Sequence, residues 1–230
     1  MKLAIFSDVH GNSFYFRSCL SKMAEYRVDR YIFLGDAVGY MPYGIDVLEL
    51  LDSIEADCLM GNHEAMLCGF LKYSSDRDEV YQLRQASLAI PKRTFEKIMT
   101  WLPYKILSLN GLNILLVHGS PWNPLLGYLY PDSCERHYNS PQYDFVFMGH
   151  SHRPFISKNE YTTIVNVGSV GLPRDFGNVP SFTICDTMTG ETQIVRLELD
   201  NQDLLLDLKK RNVHETILTC LGRSQGELFA

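Results

Sequence analysis

Five short pieces punctuate the chain: Asp8-Val9-His10, Gly35-Asp36, Gly61-Asn62-His63-Glu64, His118-Gly119 and Gly149-His150-Ser151-His152. They hold five of the seven histidines, with two aspartates and an asparagine among them. Carboxylate, imidazole and amide together suit borderline divalent cations such as Mn²⁺, Fe²⁺ and Zn²⁺, whereas an all-oxygen set would suit Mg²⁺ or Ca²⁺ better. No thiol belongs to the set. Two such ions roughly 3.5–4 Å apart can clamp the attacking and leaving oxygens of an in-line displacement and acidify a shared water. One carboxylate must then bridge them. Gly35, Gly61 and Gly149 each precede a candidate ligand, where a side chain would hinder a sharp turn and the approach of an ion or substrate.

Elements must bring these pieces together. Apolar runs at 3–6, 31–34, 58–60, 112–117 and 145–148 read as strands buried on both faces, and each ends at one of the five pieces. Helical periodicity near 12–26 and 42–51 separates the first three, which predicts parallel pairing through helical crossovers. In open α/β sheets ligands collect at the carboxyl ends of strands, so distant segments converge on one crevice. Residues 64–101 carry no strand signal; 76–89 and 91–101 predict helices, the second with Pro91 at its first position. Runs at 105–109 and 112–117 flank Asn110-Gly111 and predict a hairpin, and further strands are expected at 155–157, 163–167, 181–186 and 193–197. The expected organisation is one domain over 1–230, with a helical insert at about 64–101 and a helical tail at about 201–230 that includes Lys209-Lys210-Arg211.

Taken in this order, Asp8-x-His10, Gly35-Asp36, Gly61-Asn62-His63-Glu64, His118-Gly119 and Gly149-His150-x-His152 resemble the calcineurin-like metallophosphoesterase superfamily, over the chain to about residue 200. The resemblance implies an α/β fold, a four-layer α/β/β/α sandwich of two mixed β-sheets flanked by helices. It also implies a binuclear centre: Asp8, His10, Asp36 and His152 at one divalent ion, and Asp36, Asn62, His118 and His150 at the other. Asp36 would be the bridge. Mn²⁺ is the expected metal, with Fe²⁺, Zn²⁺ and Ni²⁺ as alternatives. A metal-bridging hydroxide would attack the phosphoester in line, and His63, not itself a ligand, would assist the leaving group.

The stretch Ala37-Val38-Gly39-Tyr40 lacks the arginine that protein Ser/Thr phosphatases and diadenosine tetraphosphatases place a few residues after this aspartate. His118-Gly119-Ser120-Pro121 and residues 166–175 instead look like the compact bacterial and archaeal phosphodiesterase-like branch. Small phosphodiesters are therefore the expected substrates, with phosphomonoesters as the alternative and a nuclease or a noncatalytic scaffold on the same fold further behind.

Composition narrows the partners. With 21 Lys plus Arg against 27 Asp plus Glu, the net charge of −6 leaves no cationic surplus for a nucleic-acid backbone, so nucleotide-sized substrates are expected and polymers are not. No apolar run approaches the roughly 20 residues of a membrane span. Six cysteines without a C-x-x-C pair, and no export signal, read as reduced thiols in the cytoplasm. A homodimer is left open. Around the candidate centre, Asn12 and Glu64 read as helix-start residues, and Tyr40, Tyr43, Trp122 and Tyr128 as rim packing. Arg174 suits a substrate phosphate or a carboxylate equally, and His137 and His214 lie in no motif and are expected to face solvent.

Overall fold

The structure is a computed structural model and is described for residues 1–130, 132–133 and 138–223. Cys134, His137 and the end of the expected helical tail lie outside the described residues.

Two five-stranded mixed sheets pack face to face. The first has the order β10-β9-β1-β2-β3, built from β1 Lys2–Phe6, β2 Arg30–Phe33, β3 Asp57–Cys58, β9 Ser181–Asp186 and β10 Glu191–Arg196. The second runs β4-β5-β6-β8-β7, from β4 Tyr104–Leu109, β5 Leu112–Val117, β6 Phe145–Met148, β7 Phe155–Lys158 and β8 Thr163–Asn166. Strands β1, β2 and β3 are mutually parallel, as are β5, β6 and β8. The expected hairpin is present: β4 and β5 pair from Tyr104↔Val117 to Leu109↔Leu112, and Asn110 (φ 52°) and Gly111 (φ 84°) both take the left-handed backbone of a two-residue turn.

Alternation along the strands sorts the core into layers. Leu3, Ile5, Ile32 and Leu34 face Ile114, Leu116, Phe145, Phe147 and Val165 between the sheets. Ala4, Phe6 and Phe33 point the other way, onto α1 (Ser13–Glu25) and α2 (Gly44–Ser53) through Phe16, Cys19, Met23, Val47 and Leu51. The outer face of the second sheet, through Val117, Val146, Met148 and Ile164, is covered by Leu129, Tyr138 and Tyr143 of the connection after β5.

Between β3 and β4 the chain is helical: α3 Asn62–Leu67, a 3₁₀ turn Ser75–Arg77, α4 Asp78–Tyr81, α5 Leu83–Ala89 and α6 Lys92–Ile98. The helix expected over 76–89 is broken at Gln82, whose φ of 57° no helix tolerates. Pro91 stands one place before α6, at the N-cap, where its extended ψ of 144° starts the turn. After β10 come α7 Gln202–Lys210 and α8 Glu215–Leu221. Leu204, Leu208, Ile217 and Leu221 of this pair bury themselves against Tyr15, Tyr40, Met41 and Leu172, so the tail packs on loops at the carboxyl ends of the strands. His214, expected to face solvent, is partly buried and caps α8, its Nδ1 accepting from the Thr216 N–H. None of the described helices is long and apolar enough to cross a membrane.

Candidate metal centre

Parallel strands all present their carboxyl ends at the same edge of a sheet, and here six of them bring the loops after β1, β2, β3, β5, β6 and β8 to one crevice. Asp8 and His10 follow β1, Asp36 follows β2, Asn62 opens α3 after β3, His118 follows β5, and His150 and His152 follow β6. All seven are buried.

Asp8, His10 and His152 form one cluster and Asp36, His118 and His150 a second, each able to offer ligand atoms within 4.8 Å of one another. In the first, His152 Nε2 lies 3.1 Å from Asp8 Oδ1 and 3.1 Å from His10 Nε2. In the second, His118 Nε2 lies 3.0 Å from Asn62 Oδ1 and 3.1 Å from His150 Nδ1. Asp36 joins them: its Oδ2 is 3.6 Å from His10 Nε2 and 3.5 Å from His118 Nε2, while its Oδ1 accepts the His63 backbone N–H at 2.9 Å.

The chemistry of these contacts calls for cations. His10, His118 and His152 each turn Nδ1 to a backbone carbonyl, of Val38, Leu34 and Leu172 at 3.4, 3.1 and 2.6 Å. A ring nitrogen facing a carbonyl must carry the proton, so each Nε2 is a bare lone pair aimed inward. Two such lone pairs 3.1 Å apart, or one against an amide oxygen, repel unless a positive ion sits among them. Asp8 Oδ1 has no hydrogen-bond partner although it is buried, which fits the same donor set. Burial holds His10 and His118 down to about 4 and His150 to about 3, and also lowers His152. The imidazoles are therefore neutral at physiological pH, the form a metal requires. Asp36 is pushed up well above the usual carboxylate range by burial and by the nearby Glu64 and Asp8 charges, a penalty that bound dications would reverse.

The backbone is bent to serve this arrangement. Asp8, His10, Asp36, His150 and His152 all have φ between 49° and 64°, a region that side chains with a Cβ enter only when the surroundings force them. Gly61 shows why one of the expected glycines is needed: a Cβ there would strike the Asp36 carboxylate and backbone.

His63 also converges, lying with His10 and Asp36 in a third cluster. Its ring is ringed by aromatics, 4.6 Å from His10, 4.8 Å from Tyr40 and 5.0 Å from Tyr81, and its buried Nδ1 has no hydrogen-bond partner. Burial and the neighbouring imidazoles hold it neutral, well below its ordinary value.

Several supporting residues escaped the sequence reading. Glu64 does start α3, by accepting the Gly61 N–H at 3.0 Å, but the same buried carboxylate also accepts the N–H groups of Asp36 and Ala37 at 2.7 and 2.8 Å. It thereby ties the Asp36 loop to α3. Asn166, at the end of β8, donates to the Gly149 carbonyl at 2.8 Å and the Ser151 hydroxyl at 3.0 Å, steadying the His150–His152 turn. Ser169 donates to the Asp8 carbonyl at 2.7 Å. Glu64 has a signal, three places after a helix start; Asn166 and Ser169 have none. Asn12 caps α1 as expected, accepting from Tyr15 N–H at 3.1 Å, and its amide also donates to the Gly171 carbonyl at 2.8 Å.

Similarity to known proteins agrees with this geometry. An uncharacterized protein of Methanocaldococcus jannaschii, MJ0912, is 29% identical over 221 residues, covering 86% of this chain and 88% of its own. The crystal structure of a metallophosphoesterase from Sphaerobacter thermophilus superposes with a TM-score of 0.81 at 23% identity, over 97% of this chain and 99% of that one. A hypothetical protein of Pyrococcus horikoshii, PH1004, gives 0.82 at 19% identity with the same coverage. These two share the fold. The family model of the calcineurin-like phosphoesterase superfamily domain matches residues 1–190, a span that contains every one of the clustered side chains, and the chain belongs to that superfamily.

Proposed function

We propose that this chain hydrolyses small phosphodiesters at a binuclear centre, with Asp8, His10, Asp36 and His152 holding one divalent ion and Asp36, Asn62, His118 and His150 the other. The observation that carries the reading is the single oxygen Asp36 Oδ2, placed about equally far from His10 and His118, one imidazole of each cluster. Two ions there, Mn²⁺ in our reading, would supply Lewis-acid activation of water and of the phosphoryl group. The protein does the rest. Carbonyl tethers fix three imidazole tautomers, Glu64 and Asn166 hold the ligand loops, and burial keeps bulk water from competing. His63, neutral and beside both Asp36 and His10, can donate an N–H hydrogen bond to the leaving oxygen as charge develops on it. The free thiols of Cys19, Cys58, Cys68, Cys185 and Cys220 accord with a cytoplasmic setting.

A phosphomonoesterase is the second reading, favoured by one observation: although no arginine follows Asp36, Arg174 is anchored beside the centre, its backbone N–H donating to the His152 carbonyl at 3.2 Å. Both readings meet one experiment. Metal-stripped protein reconstituted with Mn²⁺ is assayed on bis-p-nitrophenyl phosphate, p-nitrophenyl phosphate, cyclic nucleotides, dinucleotides and nucleoside monophosphates. Turnover that is absent after stripping, restored by Mn²⁺ and higher on the diesters is expected; a tenfold preference for monoesters would move the assignment to a phosphatase. Asp36→Asn should lose both ions together in metal analysis, since a neutral amide is a poor bridge between dications. Two ions retained at full turnover would remove Asp36 from the bridge.

A further inference from the structure

A cavity of about 380 Å³ lies where three segments meet: the loop that leads from Asp36 into α2, helix α5 of the insert, and the turn between α7 and α8. Its volume falls in the range of small-molecule clefts. Val38, Met41, Ile90 and Val213 are buried and give it an apolar floor. Its edge is polar. Gln82 lines it half-buried, with its NH₂ given to the Glu79 carbonyl at 3.0 Å and its oxygen left as an acceptor, while Gln85 and Asn212 stand at the exposed mouth.

Tyr43 supplies a fixed aromatic wall. Its hydroxyl donates to the Asp207 carboxylate, the Arg211 guanidinium stands 5.1 Å from its ring centroid, and Phe14 meets it edge-on at 5.4 Å. Asp207 also holds Arg211, at 3.1 Å, so the cation at the mouth is already paired and offers no free seat to a phosphate. An apolar floor, an aromatic wall and a rim of amides match a planar, uncharged ring with apolar faces and an edge of donors and acceptors, which is the chemistry of a nucleobase. Asn and Gln amides pair especially well with adenine. An alkyl chain would strip water from the amides without replacing its hydrogen bonds.

The same residues touch the metal centre. Val38 accepts from His10 Nδ1 at 3.4 Å through its carbonyl, and Met41 N–H donates to the His10 carbonyl at 3.2 Å. Tyr40, which also lines the cavity, sets its ring edge-on to His10 at 4.5 Å and tilted against His63 at 4.8 Å. Its N–H donates to the Tyr81 carbonyl at 2.7 Å, which stitches the insert to this loop. A single layer of residues therefore separates the cavity from the candidate ligands.

We infer that this cavity is a nucleobase site, filled by the base of the substrate or by a separate nucleoside or nucleotide. Binding of the base stands apart from the phosphoesterase reading above; only the choice between the two sources rests on it.

Adenosine is the probe, because without a phosphate it reports on the cavity and not on the metals. The Mn²⁺-reconstituted parent is titrated with it by calorimetry beside Gln85→Ala, Asn212→Gly and Ala89→Trp. All three positions are exposed. Glycine keeps the left-handed backbone of Asn212 (φ 56°) while removing its amide, and a tryptophan at Ala89, on the cavity wall, fills the space. Saturable binding is expected in the parent, weakened about 2–10-fold by loss of either amide, the span of a neutral hydrogen bond, and abolished in Ala89→Trp. No binding to the parent, or one Kd shared by the parent and all three variants, would overturn the proposal. If Ala89→Trp fails to fold, the two amide variants decide. Turnover then separates the sources. A kcat/KM that Ala89→Trp lowers on an adenine dinucleotide but not on bis-p-nitrophenyl phosphate assigns the cavity to the base of the substrate. A change in kcat on bis-p-nitrophenyl phosphate when adenosine is added, lost in Ala89→Trp, assigns it to a separate nucleotide. A parent that turns over no ester would defeat the phosphoesterase reading, while the adenosine titration would still decide for or against the cavity.

Discussion

His63 is the residue whose role most depends on what surrounds it. Its Nδ1 faces Gly39 so closely that a Cβ there would collide with the ring, and Tyr40, Tyr81 and His10 fix the ring plane. Held neutral by burial, it keeps one N–H to donate and has no charge that would repel a dication. His63→Ala should therefore retain two bound ions while turnover falls by about 10²–10³ on an ester with a poor leaving group, the range for a lost hydrogen-bond donor to developing charge. With p-nitrophenolate leaving, the fall should be clearly smaller. Comparing the two esters in one variant checks this, and equal falls would make His63 a positioning residue. The five candidate ligands with positive φ add a related point: each is a backbone conformation that costs of order 1–3 kcal/mol, held in place by the tethers of Glu64, Asn166 and Ser169.

Among the elements, the tail helices α7 and α8 are the ones whose importance is hidden in the sequence. Leu208 is fully buried against a cluster that includes Leu172, whose carbonyl orients His152. Leu208→Ala should cost about 2–5 kcal/mol, as buried leucine truncations do, and should weaken metal binding as well, since Leu172 loses its backing. Denaturant midpoints of the metal-free protein, with a metal titration beside them, check both parts. A stability loss with unchanged metal affinity would show the tail to be a brace only. The strands and the hairpin were legible because runs such as Phe145-Val-Phe-Met148 are apolar on both faces and Asn110-Gly111 suits a left-handed turn. The candidate ligands were legible because five loops after strands each carry a residue type that does chemistry. The break at Gln82, the Asn166 tether and the placement of α7 and α8 were not: each depends on contacts between residues far apart in the chain, and no local pattern records them.

At the scale of the molecule, five buried neutral imidazoles in one crevice tie stability to acidity. Unfolded histidines titrate near 6.5, whereas His10 and His118 are held near 4 and His150 near 3. Between those values the unfolded chain takes up protons that the folded one refuses, so falling pH favours unfolding. Asp36 and Glu64, both raised by burial, work in the opposite sense with one proton each and are outnumbered by the imidazoles. The urea midpoint of metal-stripped protein should therefore be lower at pH 5 than at pH 7.5, with the loss beginning below about 6.5, and bound Mn²⁺ should steepen it because protons compete for the same nitrogens. Equal midpoints would contradict the neutral imidazole assignment.

The strand order of the first sheet has one more consequence. Strand β1, which ends in Asp8 and His10, lies between β2 and β9, and its register with β9 runs from Lys2↔Asp186 to Ile5↔Thr183. During synthesis β1 emerges first, yet one of its two edges stays open until some 180 further residues have been translated. The candidate ligand loop after it waits almost as long, until Gly171 and Ser169 close on the Asp8 carbonyl. A nascent chain stalled or cleaved before that point exposes an apolar strand with unpaired N–H and C=O groups, the kind of edge that recruits other chains. Quality control on the ribosome thus bears on this protein more than its size alone implies.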